Sequence, residues 1–309
     1  MLRGLLLAAA GSTGLRSVVE TVPATRSVVS RFVAGAETAD AVRAVRELTQ
    51  DGRMVSIDHL GEDTTDAAQA ATTVDAYTTL LWVLAEQGLA AGADMSVKLS
   101  AVGGSLPVNG HKIALDNARA ICSAAEAAGA TVTLDMEDHT TTDATLDTLR
   151  ELRVDFPWVG AVVQAYLRRT EQDCRDLAGA GSRVRLCKGA YAEPEPVAFQ
   201  DKSDVDKSYV RCLGVLMRGQ GYPMVATHDP RMVEIASKLA ADAGRSVGDH
   251  EFQMLYGIRP EEQRRIAATG ATMRVYVPYG TEWYGYFVRR LAERPANLSF
   301  FLRGLATRS

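Results

Sequence analysis

The sequence lacks the cysteine pattern of a zinc site or a disulfide framework. Its four cysteines, Cys122, Cys174, Cys187 and Cys212, lie far apart, and no two of them form a CxxC pair. Such spacing is typical of reduced thiols in a cytoplasmic protein. The chain has five histidines, and none stands at ligand spacing from His228, so we expect no metal ion.

Long apolar runs and dense basic runs are also missing. No segment approaches the roughly 20 apolar residues that span a membrane. The short apolar run at 5–10 merges into a segment of helical spacing, which favours a helix over a signal peptide. The formal net charge of -4 argues against nucleic-acid binding. This composition permits a peripheral contact with the inner face of the cell membrane.

What the chain does have is a repeated alternation of short apolar runs and longer segments of helical spacing. The apolar runs predict eight strands, at 54–60, 95–101, 131–137, 159–166, 183–190, 224–230, 250–256 and 273–279. Helical segments lie between and after them, at 65–91, 111–128, 141–154, 170–179, 205–219, 231–243, 260–268 and 281–294. Eight alternating units predict an α/β fold of the (β/α)8 TIM-like barrel type.

A doubly wound parallel sheet is the alternative fold. It would place a Gly-rich phosphate turn after an early strand, and no GxGxxG motif follows one. Residues 1–50 predict helices that precede the barrel. We therefore divide the chain into an N-terminal helical extension, 1–50, and a barrel domain, 51–309, whose final helix packs over the carboxyl ends of the strands.

Polar side chains recur near the carboxyl ends of the predicted strands. They are Lys98, Asp135, Glu137, Gln164, Arg185, Lys188, Thr227, His228, Gln253 and Tyr276. Charged residues are seldom buried unless they are paired or meet a ligand. In (β/α)8 barrels this face carries the active site. We therefore predict that these side chains surround a bound ligand.

The helix after the last strand carries a tyrosine and two adjacent arginines. Tyr286 lies one turn away from both Arg289 and Arg290. Guanidinium groups are planar forks that bind carboxylates in a bidentate way. The helix therefore predicts a carboxylate-binding site with an aromatic wall, and the alternative is an ordinary solvated helix face.

The residues by themselves leave the chemistry open. Lys98 could be a structural cation paired with Asp135, or Lys98 or Lys188 could be the Schiff-base nucleophile of an aldolase or lyase. A third interpretation is an amino-acid sensor that uses the arginine pair without any reaction.

An ordered series of motifs resolves these alternatives by resemblance. The motifs are KLS at 98–100, LDME at 134–137, VQAY at 163–166, RLCKGAY at 185–191, ATH at 226–228, EFQMLYG at 251–257, RVYVPYG at 274–280 and YFVRRL at 286–291. In this order, from about residue 55 to 300, the chain resembles the proline dehydrogenase family in its monofunctional bacterial form. The resemblance implies FAD-dependent oxidation of L-proline to Δ1-pyrroline-5-carboxylate, the first step of proline catabolism. A quinone would be the electron acceptor.

The resemblance also implies roles for the substrate side of the site. Arg289, Arg290 and Lys98 would grip the carboxylate of proline. The walls around the pyrrolidine ring would be Tyr191, Leu255, Tyr276 and Tyr286. Tyr276 would crowd the ring carbon that bears the hydroxyl group in 4-hydroxyproline, which implies a preference for proline. Glu62 would pair with Arg289 as a gate over bound substrate.

On the cofactor side, the resemblance implies that Arg185 lies beside the reactive N5 of the flavin and that Asp135 pairs with Lys98. Arg185 and Asp135 are the catalytic candidates. The remaining flavin contacts would be Met136, Gln164, Lys188, Gly189, Ala190, Thr227 and His228. The chain departs from the family pattern in two places, because the segment 189–194 lacks the tryptophan that is often seen after the tyrosine, and Asp229 stands where asparagine is common.

Overall fold

The computed structural model describes residues 29–61 and 64–293, and within them eight parallel strands close into a barrel. The strands are β1 (Met54–His59), β2 (Asp94–Val97), β3 (Thr131–Leu134), β4 (Gly160–Gln164), β5 (Arg183–Cys187), β6 (Tyr222–Ala226), β7 (Glu251–Leu255) and β8 (Thr272–Tyr279). Each strand pairs with its neighbour in sequence, and β8 closes the barrel on β1 through six residue pairs from Met54–Arg274 to His59–Tyr279. The predicted barrel is therefore confirmed.

Within residues 29–61 and 64–293, a helix at 38–50 precedes the barrel and an α-helix follows each strand. The helices are α1 (Thr38–Gln50), α2 (Ala67–Glu86), α3 (Gly110–Ala128), α4 (Thr142–Asp155), α5 (Thr170–Leu177), α6 (Lys202–Arg218), α7 (Pro230–Asp242), α8 (Pro260–Ala268) and α9 (Trp283–Glu293). Several begin at recognisable caps. Asp66 accepts a hydrogen bond from the Gln69 amide at 2.9 Å, and Asp229 caps α7 just before Pro230.

The apolar core lies between the barrel wall and the ring of helices. Outward-facing strand residues such as Val275 and Val277 pack against buried side chains of the surrounding helices, Tyr77 and Leu80 among them. Helix α1 joins this layer through its apolar face, which includes Val45, and contacts β1 and β8. It therefore flanks the side of the barrel.

Helix α9 packs across the carboxyl end of the barrel. Its buried residues Tyr286 and Phe287 form a cluster with Phe32, Val33 and Leu60. The chain at 34–35 runs beside the end of β8, where the Ala34 amide donates to the Pro278 carbonyl at 2.9 Å. The segment before α1 and the helix after β8 therefore support each other over the mouth of the barrel.

Several strands are shorter than predicted at their carboxyl ends. β2 ends at Val97 and β3 at Leu134, so Lys98 and Asp135 begin the loops that follow. Ser100–Val102 forms a short 3-10 helix instead of strand. The difference arises because the Val, Ile and Leu pattern continues beyond the point where neighbouring backbones separate into loops.

Candidate active site

The interior of this barrel is unusually polar at its carboxyl half. Strand side chains alternate between faces, so Ser56 and Asp58 on β1 point the same way, as do Ser96 and Lys98 from β2. All four are buried. Barrel interiors are usually filled by branched apolar residues. Polar atoms in their place require partners or a ligand.

Lys98 is held between two carboxylates. Its Nζ lies 2.8 Å from Asp58 Oδ2 and 3.7 Å from Asp135 Oδ2. The predicted Lys98–Asp135 pair is thus present, but the shorter contact is to Asp58, a residue that the sequence analysis did not select. The ammonium is fixed in position at the top of the barrel interior.

Arg185 lies below Lys98 and bonds to four side chains. Its Nη1 donates to Ser96 Oγ at 2.7 Å and to Asp135 Oδ1 at 2.8 Å. Its Nη2 donates to Ser56 Oγ at 2.8 Å and to Asp94 Oδ2 at 3.1 Å. These charge-assisted bonds fix the plane of the guanidinium.

Tyr276 completes the group from β8. Its hydroxyl donates to Asp135 Oδ2 at 2.8 Å, and the Arg185 guanidinium carbon lies 5.5 Å from the ring centre. Burial and the neighbouring Asp135 raise the pKa of Tyr276 well above its usual value, so the phenol stays protonated and acts as a donor. The structure therefore brings Lys98, Asp135, Arg185 and Tyr276 together.

The loop after β5 contains a glycine that no other residue could replace without displacement. Gly189 has φ +105°, and an added Cβ would lie 2.2 Å from the ring of Tyr166. Lys188 beside it is bound by Asp206 at 2.5 Å and Asp229 at 3.3 Å. Tyr191 packs against the cluster that contains Tyr166. Ala190 lies between Gly189 and Tyr191 in the same loop.

The loops after β3 and β4 are joined to each other. Gln164 Nε2 donates to the Glu137 carbonyl at 2.8 Å, and both side chains are buried. The Glu137 carboxylate accepts from the Ser100 amide at 3.0 Å and also from the Ser100 hydroxyl. Met136 is buried beside them.

The loops after β6 and β7 share a histidine. The Leu255 amide donates to His228 Nε2 at 2.9 Å, so this nitrogen carries no proton. The Thr227 amide donates to the Gln253 carbonyl at 3.1 Å. Arg259, in the left-handed region with φ 54°, donates to the His228 carbonyl at 2.7 Å. Leu255 and His228 therefore share one fixed junction.

Helix α9 presents its predicted residues at the mouth of the barrel. Tyr286 is buried, and the Arg290 guanidinium carbon lies 5.0 Å from its ring centre. Tyr276 packs against the same cluster. The Arg289 side chain and the whole of Glu62 lie outside the described residues, so the predicted gate stays a prediction.

The fold and this arrangement define a class of protein, a (β/α)8 barrel with inward cations at its carboxyl end, beneath a helix that carries an arginine. Comparison with known proteins identifies the family. The family model described as proline dehydrogenase matches residues 41–303, and the chain belongs to that family.

Individual relatives agree with this assignment. "Proline dehydrogenase 1" of Bacillus subtilis is 39% identical over 281 residues, 91% of each chain, and "Proline dehydrogenase" of Deinococcus radiodurans is 40% identical over 283 residues, 90% of each. A crystal structure of proline utilization A from Bdellovibrio bacteriovorus superposes with a TM-score of 0.81 at 25% identity. It covers 92% of this chain, which spans only 34% of that longer protein.

Family membership confirms the reaction class expected from the resemblance. Proline dehydrogenases are FAD-dependent oxidoreductases that act on a CH–NH group. The aldolase alternative is not favoured. Schiff-base lysines are commonly activated by apolar surroundings, whereas Lys98 and Lys188 each contact two carboxylates.

The residues at the carboxyl end fit a flavin and a carboxylate substrate. Among the described residues, the buried atoms Arg185 Nε and Asp58 Oδ1 have no hydrogen-bond partner. Buried polar atoms without partners are costly, and they are expected where a ligand supplies the missing bond. Gly189, with no room for a side chain, leaves its loop close to the ring of Tyr166.

Sequence reasoning missed several members of this network. Asp58 and Asp94 bind Lys98 and Arg185 directly, and Glu193 is a buried carboxylate that accepts from the His139 amide at 2.9 Å. A signal for Asp58 was present, since Ser56 and Asp58 repeat the polar alternation of Ser96 and Lys98. Glu193 lies in an irregular loop, where no periodicity marks burial.

Proposed function

We propose that this protein oxidises L-proline to Δ1-pyrroline-5-carboxylate at the carboxyl end of the barrel, with the residues in the roles given below. The observation that carries the proposal is the array of the buried residues Lys98, Asp135 and Arg185 with the partly buried Tyr276, beneath Arg290 and Tyr286. It combines cations for a carboxylate with a closed, aromatic surface for a small ring.

The proline carboxylate binds between the cations at the mouth of the barrel. Arg290 would reach it from α9 and Lys98 from inside the barrel, and the resemblance assigns Arg289, whose side chain lies outside the described residues, to the same carboxylate. Each charge-assisted bond contributes about 1.5–3 kcal/mol net. Because Asp58 and Asp135 already fix Lys98, little side-chain freedom is lost when substrate binds.

FAD supplies the two-electron acceptor for this reaction. The residues that would hold it are Met136, Gln164, Arg185, Lys188, Gly189, Ala190, Thr227 and His228. They come from the end of β4, from β5 and from the loops after β3, β5 and β6, which are tied together by the Gln164–Glu137, Arg185–Asp135 and Lys188–Asp229 bonds. The cofactor would therefore meet a rigid surface rather than a set of mobile loops.

The substrate must lose a proton and a hydride. The proline nitrogen first gives up its ammonium proton, because its lone pair must be available. The C5–H bond then breaks, both electrons leave with the hydrogen, and the nitrogen lone pair forms the C5=N double bond of the protonated imine. The protein's own residues orient the ring for this step. The cations that bind the carboxylate fix one edge of the ring, and Tyr191, Leu255, Tyr276 and Tyr286 form the walls around it.

Electrons then leave the protein for a quinone, and contact with the inner face of the membrane would bring the site to that acceptor. None of the helices in the described ranges is long and apolar enough to cross a membrane. If a quinone accepts the electrons, a short-chain ubiquinone analogue should reoxidise the proline-reduced protein. Phospholipid vesicles that contain a long-chain quinone should co-sediment with the protein. Reoxidation by dioxygen alone would contradict the quinone assignment.

Anaerobic titration with L-proline tests the reaction itself. We expect the visible flavin absorbance to bleach at stoichiometric conversion, with formation of an imine that reacts with o-aminobenzaldehyde. Bound flavin that proline never reduces would support an amino-acid sensor instead. Colourless protein that borohydride traps with a carbonyl compound would support the aldolase.

A further inference from the structure

Asp94 begins β2 and lies fully buried inside the barrel, on the opposite side of Arg185 from Asp135. Its Oδ2 accepts from Arg185 Nη2 at 3.1 Å, while Asp135 Oδ1 accepts from Arg185 Nη1 at 2.8 Å. Ser56 Oγ bridges the contact between Asp94 and Arg185, since it donates to Asp94 Oδ2 and accepts from Arg185 Nη2, both at 2.8 Å. The guanidinium is therefore shared between two carboxylates.

The second oxygen of Asp94 is bound just as completely. Oδ1 accepts from Thr131 Oγ1 at 2.8 Å, from Thr133 Oγ1 at 2.9 Å and from Arg183 Nη2 at 3.2 Å. Burial alone would raise the pKa of Asp94, but Arg183 and Arg185 outweigh it and hold the pKa below its usual range. The carboxylate is thus ionised at any pH at which the protein works.

We propose that Asp94 is a positioning residue that holds Arg185 from below and lowers the reduction potential of the bound flavin. The inference rests on the proposed place of Arg185 beside the reactive part of the flavin. Asp94 itself touches neither substrate nor cofactor.

The direction of the effect follows from charge. Arg183, Arg185, Asp94 and Asp135 carry formal charges that sum to zero. Reduction adds negative charge to a flavin, so a more positive surrounding favours the reduced form, and the low-dielectric interior screens this effect only partly. Removal of the Asp94 charge leaves the group positive, whereas removal of the Arg183 charge leaves it negative.

The experiment compares three variants of the full-length, flavin-loaded protein. Asp94→Asn removes a negative charge with almost no change in shape, and Arg183→Gln removes a positive charge from the opposite side of the same carboxylate. Ser56→Ala removes the hydrogen bonds of Ser56 with Asp94 and with Arg185 and leaves the charge unchanged. The flavin potential is measured against reference dyes during slow reduction by a chemical or enzymatic electron source, without proline.

We expect Asp94→Asn to raise the affinity for reduced over oxidised flavin about tenfold, which is about +30 mV for a two-electron couple. Arg183→Gln should shift the potential in the opposite direction by a similar factor. Ser56→Ala should stay within about twofold of the parent protein. These opposite signs separate an electrostatic role from a purely structural one, which would move all three variants alike.

An unchanged potential in Asp94→Asn, or a shift of the same sign in both charge variants, overturns the proposal. If Asp94→Asn does not fold, Arg183→Gln decides alone, and a potential that is not lowered counts against the inference. Failure of L-proline to reduce the parent protein would instead refute the proposed reaction, and the dye titration would still report on Asp94.

Discussion

The amino and carboxyl ends of the barrel interior both contain buried ion pairs, and the Arg274–Glu251 pair at the amino end is the more completely hydrogen-bonded of the two groups. There Arg274 donates through Nε and Nη2 to Glu251, at 2.7 and 2.9 Å. Its Nη1 donates to the carbonyls of Val55 and Gly92, at 2.8 and 2.7 Å. The pair thus joins three strands, β7, β8 and β1, and the loop before β2.

At the carboxyl end, buried atoms remain available. Among the described residues, Asp58 Oδ1 and Arg185 Nε lack hydrogen-bond partners, although Asp58 and Arg185 are 1% and 4% exposed. A buried polar atom without a partner costs about 1–3 kcal/mol. The protein carries this cost at the face where (β/α)8 barrels bind their ligands.

The contrast shows that buried charge in one barrel serves two purposes. A satisfied pair at the amino end contributes to folding and offers nothing to a ligand. An incompletely satisfied group at the carboxyl end is oriented in advance and gains its last partners from the ligand. Substitutions at the two ends should therefore fail in different measurements.

The largest expected effect is at the amino end. Arg274→Met leaves the Glu251 carboxylate buried without its cation, and breaking a buried pair in this way costs about 3–5 kcal/mol of unfolding free energy. Burial would raise the pKa of Glu251, and Arg274 now outweighs that effect and lowers the pKa. Urea unfolding followed by circular dichroism at pH 7 measures the loss.

The matched control removes both charges. Arg274→Met combined with Glu251→Leu should recover most of the stability, because no uncompensated charge remains. KM for proline should stay within about twofold in any variant that folds. A stable Arg274→Met protein with a raised KM would remove the distinction between the two ends.

The next effect is at the carboxyl end and should appear in substrate binding. Arg290→Lys keeps the charge on α9 but loses the planar fork that binds a carboxylate in a bidentate way. We expect KM for proline to rise about 10- to 100-fold, equivalent to the loss of one charge-assisted bond. Flavin content and unfolding free energy should change little.

Arg265→Lys is the control for that substitution. Arg265 lies on exposed α8 and pairs with Glu262 at 2.7 Å, where an ion pair contributes little. Steady-state kinetics of both variants measure the comparison. Equal KM values would show that Arg290 stands on an ordinary helix face and does not bind the substrate carboxylate.

A smaller effect concerns which ring the carboxyl end accepts. The Tyr276 hydroxyl is bonded to Asp135, so the ring cannot turn aside for a larger substrate. Tyr276→Ser should lower the ratio of kcat/KM for L-proline to that for 4-hydroxyproline about tenfold, within the range of small steric differences in a pocket. Tyr276→Phe keeps the ring and should preserve most of the preference.

The barrel could be predicted from the sequence because strand and helix periodicities alternate eight times. Charge that interrupts an apolar run indicated which side chains lie inside the barrel, as at Lys98 and Arg185. The residues that bind these charged side chains were harder to predict. Asp94, which binds Arg185, stands at the beginning of β2, where a polar residue also suits a surface loop. Only the closed register, which sets Asp94 beside Ser56 and Thr131, places its carboxylate inside.

The smallest effect distinguishes two histidines, His59 at the carboxyl end of β1 and His250 just before β7. Burial lowers the pKa of both below the ordinary value. The folded protein therefore keeps both rings neutral, while the unfolded chain takes up protons below about pH 6.5. Their contribution to stability is complete above that pH and is lost as the pH falls toward the lowered folded-state pKa values.

His59→Gln and His250→Gln should each flatten the fall in unfolding free energy between pH 7 and 5, by about 1 kcal/mol or less. His111→Gln, the same exchange at a histidine outside the barrel interior, is the control for the substitution itself. Addition of a proline analogue should change the pH dependence of stability differently at the two ends of the barrel. His59 adjoins Asp58, which binds Lys98, so only its slope should respond to a carboxylate at the mouth of the barrel. A response at His250 would mean that the amino end senses substrate, and the two ends would then be coupled rather than independent.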